Sequence, residues 1–365
     1  MNPLISLGRL GQSPWYDYIT RDLVRSGELA RLIAEDGLLG MTSNPTIFEK
    51  AIAGSDLYDE EIRRQSGEGR PATEIFETLA VADVQAACDA FRTVYERTGG
   101  GDGLVSLEVS PTLAHDTKGT ITEAQRLWGA VGRANAMIKI PGTLEGLAAI
   151  SHCLAAGINV NVTLLFSVER YQQVIEAFFT GLERRVAQNA PVDRIQSVAS
   201  FFVSRLDGKV DALLDGPGTQ TALRGTAAIA NACRAYAVFE SSVATPRWQA
   251  LAAKGARVQR PLWASTSTKD PRLPDVYYVE ALIAANTVNT LPPATFAAYR
   301  DHGKPADRIA AGVAAAPAQL TALAAAGIDL PAITAQLEKE GVASFAASFT
   351  SLLAVIEKKG AVLVG

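Results

Sequence analysis

The sequence predicts a (β/α)8 barrel, eight parallel strands closed into a cylinder and wrapped by helices, with extra helices added to it. Three observations carry this expectation. Short segments rich in Val, Ile, Leu and Phe recur about eight times between longer helical stretches, the pattern of β-α units and a parallel sheet. Several of these segments carry polar side chains on one parity only, although parallel strands covered by helices are normally apolar on both faces. The 365 residues, 48% of them hydrophobic, are enough for a large core, and a barrel of this kind takes more than about 250 residues as one unit.

Taken in order, the first strand is expected at Trp15–Ile19, before a helical run at Asp22–Glu35, and the second at Leu39–Thr42. The stretch from about 49 to 103 is longer than a plain crossover. It holds Asp59–Ser66, a turn with Gly and Pro at Gly67–Pro71 and the run Thr73–Thr98, and reads as an inserted helical hairpin. Strands three to seven follow at Leu104–Val109, Ala136–Ile140, Ile158–Phe166, Ser197–Val203 and Arg260–Ser265. Between them lie helical runs at Thr122–Val131, Leu144–Ala156, Val168–Gln188, Leu206–Leu214 and Thr219–Ser241. Val276–Val279 is expected to be the eighth strand. After Ala294–His302, the segments Pro305–Gly327 and Pro331–Lys359 read as helices at about 305–360, expected to pack on the outside of the barrel, with a lid as the alternative. No linker-like composition divides the chain, so residues 1–365 read as a single domain.

Composition excludes several classes of function. With 34 Lys+Arg against 38 Asp+Glu and no long basic run, neither nucleic acid nor an anionic membrane surface is an expected partner. The N-terminus lacks a basic stretch followed by an apolar core, and no segment offers about 18 uninterrupted apolar residues. Cys88, Cys153 and Cys233 are odd in number and far apart, which reads as buried free thiols in a reducing cytoplasm. His115, His152 and His302 show no ligand spacing, so no metal is expected. The chain could act alone or as a homodimer.

The polar parity locates the chemistry. Ser106, Glu108 and Ser110 alternate with Val105, Leu107 and Val109; Asn159, Asn161 and Thr163 alternate with Ile158, Val160, Val162 and Leu164; Lys139 alternates with Ile138 and Ile140. Asp17, Ser200 and Ser265 fall on the same inner side. In a closed barrel these side chains converge near the C-terminal strand ends, where such barrels hold their sites. Lys139, flanked by Met137, Ile138, Ile140 and Pro141, sits where an ammonium is poorly solvated, and a neutral amine attacks carbonyls. The alternative is a structural lysine paired with Glu108 or Asp17. A Schiff-base enzyme also needs acid-base groups, which Asp17 and Glu108 can divide, and a positioned water, which Thr163 could hold. For a sugar phosphate, Arg205, Ser265 and Lys269 follow strands six and seven, where barrels commonly bind phosphate.

The segments SPWYDYITRDL, GMTSNPTIFEKAI, VSLEVSP, MIKIPGTLEGL, GINVNVTLLFS, VASFFVSRLD, RPLWASTSTKDP and YVEALIAANTVNTLP, in order from about Ser13 to Pro292, closely resemble those of transaldolases. The resemblance implies transfer of a dihydroxyacetone unit from sedoheptulose 7-phosphate or fructose 6-phosphate to an aldose phosphate, in the pentose phosphate pathway, without cofactor. It implies Lys139 as the imine-forming residue, Asp17 as the acid-base group at C–C cleavage, and Glu108 with Thr163 as the pair that orders the catalytic water. Asn44 and Asn161, with Ser200 beside them, would bind the covalent intermediate, and Arg205 and Ser265 the phosphate. The chain departs from the common pattern at Ser267, where many members carry arginine, and Lys269 is expected to supply that charge. Two rival readings are a fructose 6-phosphate aldolase and a non-catalytic sugar-phosphate-binding barrel. Glu108 and Phe202 follow the transferase pattern, where the aldolases carry an amide and a more polar residue, and a sensor would have lost part of the acid-base set.

Overall fold

The computed structural model describes residues 2–215 and 221–364. Eight parallel strands close into a barrel in sequence order: β1 (Gln12–Asp17), β2 (Gly40–Thr42), β3 (Leu104–Glu108), β4 (Ala136–Pro141), β5 (Val160–Leu165), β6 (Ser197–Phe202), β7 (Arg260–Ala264) and β8 (Thr287–Leu291). β1 pairs with β8, which closes the ring. Seven strands lie where the sequence places them, with β1 starting three residues earlier. The eighth does not. Val276–Val279 is the start of a short helix, Tyr277–Ala281, and the strand is Thr287–Leu291. The aromatic and β-branched residues of VYYV have strand propensity, but packing overrides it: Tyr278 turns inward and donates its hydroxyl to Asp207 at 2.8 Å, and Val279 is fully buried.

The helices of the β2–β3 connection are Pro45–Ala53, Asp59–Gly67, Ala72–Ala90 and Arg92–Arg97. The run expected at Asp22–Glu35 is two helices, Arg21–Arg25 and Glu28–Glu35, divided by Gly27 at φ 83°, a conformation glycine adopts without cost. The run expected from Thr219 begins outside the described residues and is helical over Ala227–Val243. Cys88, Cys153 and Cys233 are single buried thiols, and burial pushes each up to about 12.

The two ends of the barrel differ. At the N-terminal end Asp102 accepts from Ser13 at 2.7 Å, from the Trp15 indole at 3.1 Å and from Arg260 at 3.0 Å. This plug bonds the buried carboxylate on every side, as burial of a charge requires. Gly40 is needed beside it, because a Cβ there would lie 2.5 Å from the Trp15 ring. The C-terminal end is covered by the helix Leu330–Val364, which contacts the helices Pro45–Ala53, Asp59–Gly67, Ala72–Ala90 and Ser204–Leu214 and the strand β5. The expectation of packing on the outside holds for Ile309–Ala325, which lies against Ala227–Val243. The last helix lies instead at the barrel mouth, its Phe345 ring 5.6 Å from Lys139 Nζ. Gly341 allows the close approach; a Cβ there would sit 3.1 Å from Leu164. By length and composition this helix alone among the described ones passes for a membrane span.

Candidate active site

Parallel pairing sets the site. Glu108 of β3 is in register with Lys139 of β4, and Lys139 with Asn161 of β5, so the three side chains enter the barrel at one level. Lys139 is 4% exposed and Glu108 9%. The Lys139 Nζ lies 3.4 Å from Glu108 Oε2 and donates to the Ser43 carbonyl at 3.1 Å. Neither Glu108 oxygen has an aligned hydrogen-bond partner, so the contact with Lys139 is an ion pair rather than a directed bond. Burial, aided by Asp17 and opposed by Lys139, raises the Glu108 carboxyl to about 7.

Asp17 ends β1 and is in register with Thr42 of β2. Its Oδ1 accepts from Thr42 Oγ1 at 2.6 Å, and Thr42 also meets Thr290 of β8 at 2.6 Å. Burial raises the Asp17 carboxyl as well, against Lys139, Thr42 and Arg205. Thr163 is fully buried, and its hydroxyl has no hydrogen-bond partner among the described residues. Asn161 has both ends of its amide engaged, Nδ2 to Ser106 Oγ at 3.0 Å and Oδ1 from Ser200 Oγ at 2.7 Å. Just after it the β5–β6 register shifts between Val162 and Leu165, and Leu164 stands at φ 61°, a bulge of the kind that re-aims side chains beside sites.

A cavity of about 250 Å³ opens at this end of the barrel. It brings together nine of the eleven residues singled out from the sequence: Asp17, Asn44, Lys139, Thr163, Ser200, Phe202, Arg205, Ser265 and Lys269. Asn161 does not line it, and Glu108 stands beside Lys139 without lining it either. Asn44 caps the helix Pro45–Ala53, its Oδ1 accepting from Ile47 N at 3.0 Å, which leaves its amide nitrogen for other partners. Arg205, in the first turn of Ser204–Leu214, rests its guanidinium 5.2 Å from the Phe202 ring. No carboxylate pairs with it within 4 Å among the described residues, and burial lowers its pKa while Asp17 opposes this. Ser265, at φ 57° directly after β7, meets Ser204 at 3.1 Å.

Sequence reasoning missed Thr42, Thr290, Lys50 and Phe345, all of which line the cavity. Thr42 shares the parity of the other inward residues and could have been found by it. Thr290 lies outside the segment expected as the eighth strand. Lys50 adds a cation six residues after Asn44. Phe345 has no local signal, since only the docking of the last helix brings it there.

A closed parallel barrel whose C-terminal mouth holds a buried lysine, two carboxylates with raised pKa values and an arginine without a carboxylate partner among the described residues has the arrangement of a (β/α)8 enzyme. The family model for transaldolase and fructose-6-phosphate aldolase matches residues 14–356. A transaldolase of Acidothermus cellulolyticus is 52% identical over 359 residues, covering 98% of this chain and 96% of its own. One of Frankia alni is 50% identical over 361 residues, covering 98% and 97%, and one of Thiobacillus denitrificans 48% over 358, covering 98% and 100%. The chain belongs to the transaldolase/fructose-6-phosphate aldolase family, as an enzyme of the transaldolase kind.

Proposed function

We propose that the chain moves a dihydroxyacetone unit between sugar phosphates of the pentose phosphate pathway through a Schiff base on Lys139. The carrying observation is that Lys139, Asp17 and Arg205 line one cavity, Arg205 without a carboxylate partner among the described residues. In this reading Arg205, helped by Ser265 and Lys269, holds the phosphate of sedoheptulose 7-phosphate or fructose 6-phosphate, which places the ketone over Lys139. The amine attacks the carbonyl carbon, and loss of water leaves the imine. Asp17 then takes the proton of the hydroxyl next to the breaking C–C bond, and the aldose phosphate departs.

The three-carbon enamine stays on Lys139 and adds to a second aldose phosphate, with Asp17 returning the proton. Asn44 and Ser200 hold its hydroxyls, and Asn161 fixes Ser200 by accepting its hydroxyl. Glu108 and Thr163, whose buried oxygens lack protein hydrogen bonds, order the water that hydrolyses the product imine. The single buried thiols support a reducing, cytoplasmic setting.

Borohydride reduction in the presence of fructose 6-phosphate, followed by peptide mass mapping, tests the proposal. An adduct on Lys139 is expected, and an adduct on any other lysine overturns it. Release of free dihydroxyacetone with no acceptor present separates transfer from aldol cleavage to water, and is expected to be slow.

A further inference from the structure

A second cavity, of about 430 Å³, lies behind Glu108. Its inner wall is Ser43, Asn44 and Glu108, its middle is apolar with Phe48, Phe76 and Phe349, and its outer end reaches the exposed Thr73, Thr112 and Thr350. The two cavities divide the central pair of residues. Lys139 lines only the sugar cavity and Glu108 only the second. Their electrostatics are opposite. Lys50, Lys139, Arg205 and Lys269 face the first with Asp17 as the one carboxylate, whereas Glu77, Glu108 and Glu123 face the second with Arg126 as the one cation, and Arg126 is paired with Glu77. The lining of the second cavity offers a sugar phosphate no unpaired cation. Water needs none.

We infer that the water released and consumed at the Lys139 imine is exchanged through this second cavity, behind Glu108, and not through the sugar mouth. The inference rests on the Schiff-base reading. Water must pass twice in each turnover while a ketose is attached to Lys139, fills the sugar cavity as far as Arg205 and lies beneath Phe345. In the forward step the carbinolamine C–O bond breaks as the Glu108 carboxyl gives its proton to the departing oxygen; one water leaves, and the protonated imine faces a Glu108 carboxylate. In hydrolysis a water oxygen bonds to the imine carbon, and Glu108 takes one of its protons. Both events occur at Glu108, which lines the second cavity and not the first. Ser110, Thr112, Glu123 and Thr350 supply polar partners at its outer end, which a water path through otherwise apolar walls requires.

The test closes the path away from the catalytic groups. Thr112→Trp fills the exposed outer end and leaves the core untouched, and Ala80→Leu narrows the buried middle. Rapid-quench borohydride trapping measures imine formation from fructose 6-phosphate, and the rate of glyceraldehyde 3-phosphate appearance after imine formation measures C–C cleavage. The expected result is imine formation and product hydrolysis at least about tenfold slower, in proportion to the general acid-base work withheld, with sugar KM and the cleavage step unchanged. Unchanged trapping rates in folded Thr112→Trp overturn the inference, as does equal slowing of cleavage. If the parent enzyme traps no adduct on Lys139, the Schiff-base reading itself has failed, which is a different outcome.

Discussion

The Nζ of Lys139 stands 3.4 Å from Oε2 of Glu108 on the neighbouring strand, at the same register level. A buried pair at this separation costs desolvation that its mutual attraction only partly returns. Here the carboxylate has no second partner to complete the return.

Lys139→Arg should abolish turnover and borohydride trapping while the barrel stays folded, because a guanidinium remains protonated and cannot attack a carbonyl. Circular dichroism with a substrate-trapping assay measures both; retained turnover would refute the role of the amine.

The two carboxylates should fail at different steps. Asp17→Asn is expected to form the imine and cleave it slowly, whereas Glu108→Gln should slow imine formation and hydrolysis by about 10²–10⁴-fold. Rapid-quench trapping resolves the two. Loss of the adduct in Asp17→Asn with normal accumulation in Glu108→Gln would exchange the roles.

Glu108 also predicts two pH dependences of opposite sign. In the proposed mechanism its carboxylate takes a proton in hydrolysis and its carboxyl gives one in imine formation, so the hydrolysis step, measured alone, should quicken as pH rises through about 7, and Glu108→Gln should lack that dependence. Stability runs the other way. An unfolded glutamate loses its proton near 4.5 and the folded one only near about 7, so in this window the folded state binds more protons and stability falls as pH rises. Urea denaturation at pH 5 and pH 8 should show a smaller difference for Glu108→Gln than for the parent.

For the phosphate, Arg205→Ala should raise KM for phosphorylated donors far more than for an unphosphorylated analogue, through loss of a charge-assisted contact of about 1.5–3 kcal/mol. Lys269→Ala should act in the same direction. Equal losses for both substrates would refute the assignment.

Phe345→Ala should open the sugar cavity to solvent. The expected signature is a larger share of dihydroxyacetone released to water relative to that transferred, read in one assay with and without an acceptor aldose. An unchanged ratio would show that the helix above the mouth does not guard the intermediate.

The barrel is legible because polar residues at every second position of an otherwise apolar strand must turn toward an enclosed polar interior, and this parity singles out Lys139, Glu108, Asn161 and Thr163. What the sequence hides depends on distant packing. Val276–Val279 has the side chains of a strand but is held as a helix by partners such as Asp207, while the strand β8 (TVNTL) is short and carries a central Asn. Alanine richness announces the helix Leu330–Val364, but its docking follows from Gly341 against Leu164 and Phe345 over Lys139, contacts that span well over a hundred positions. The division of Lys139 and Glu108 between two cavities is likewise a property of loops and helices meeting, and no spacing encodes it.

The position of that last helix sets an order of events during synthesis. Chains emerge from the ribosome N-terminus first, at about 5–20 residues per second, so all eight strands are made before residue 330. Translating the 35-residue helix then takes roughly 2–7 s at that rate. Every residue that lines the sugar cavity except Phe345 is therefore synthesised before the helix that lies over them.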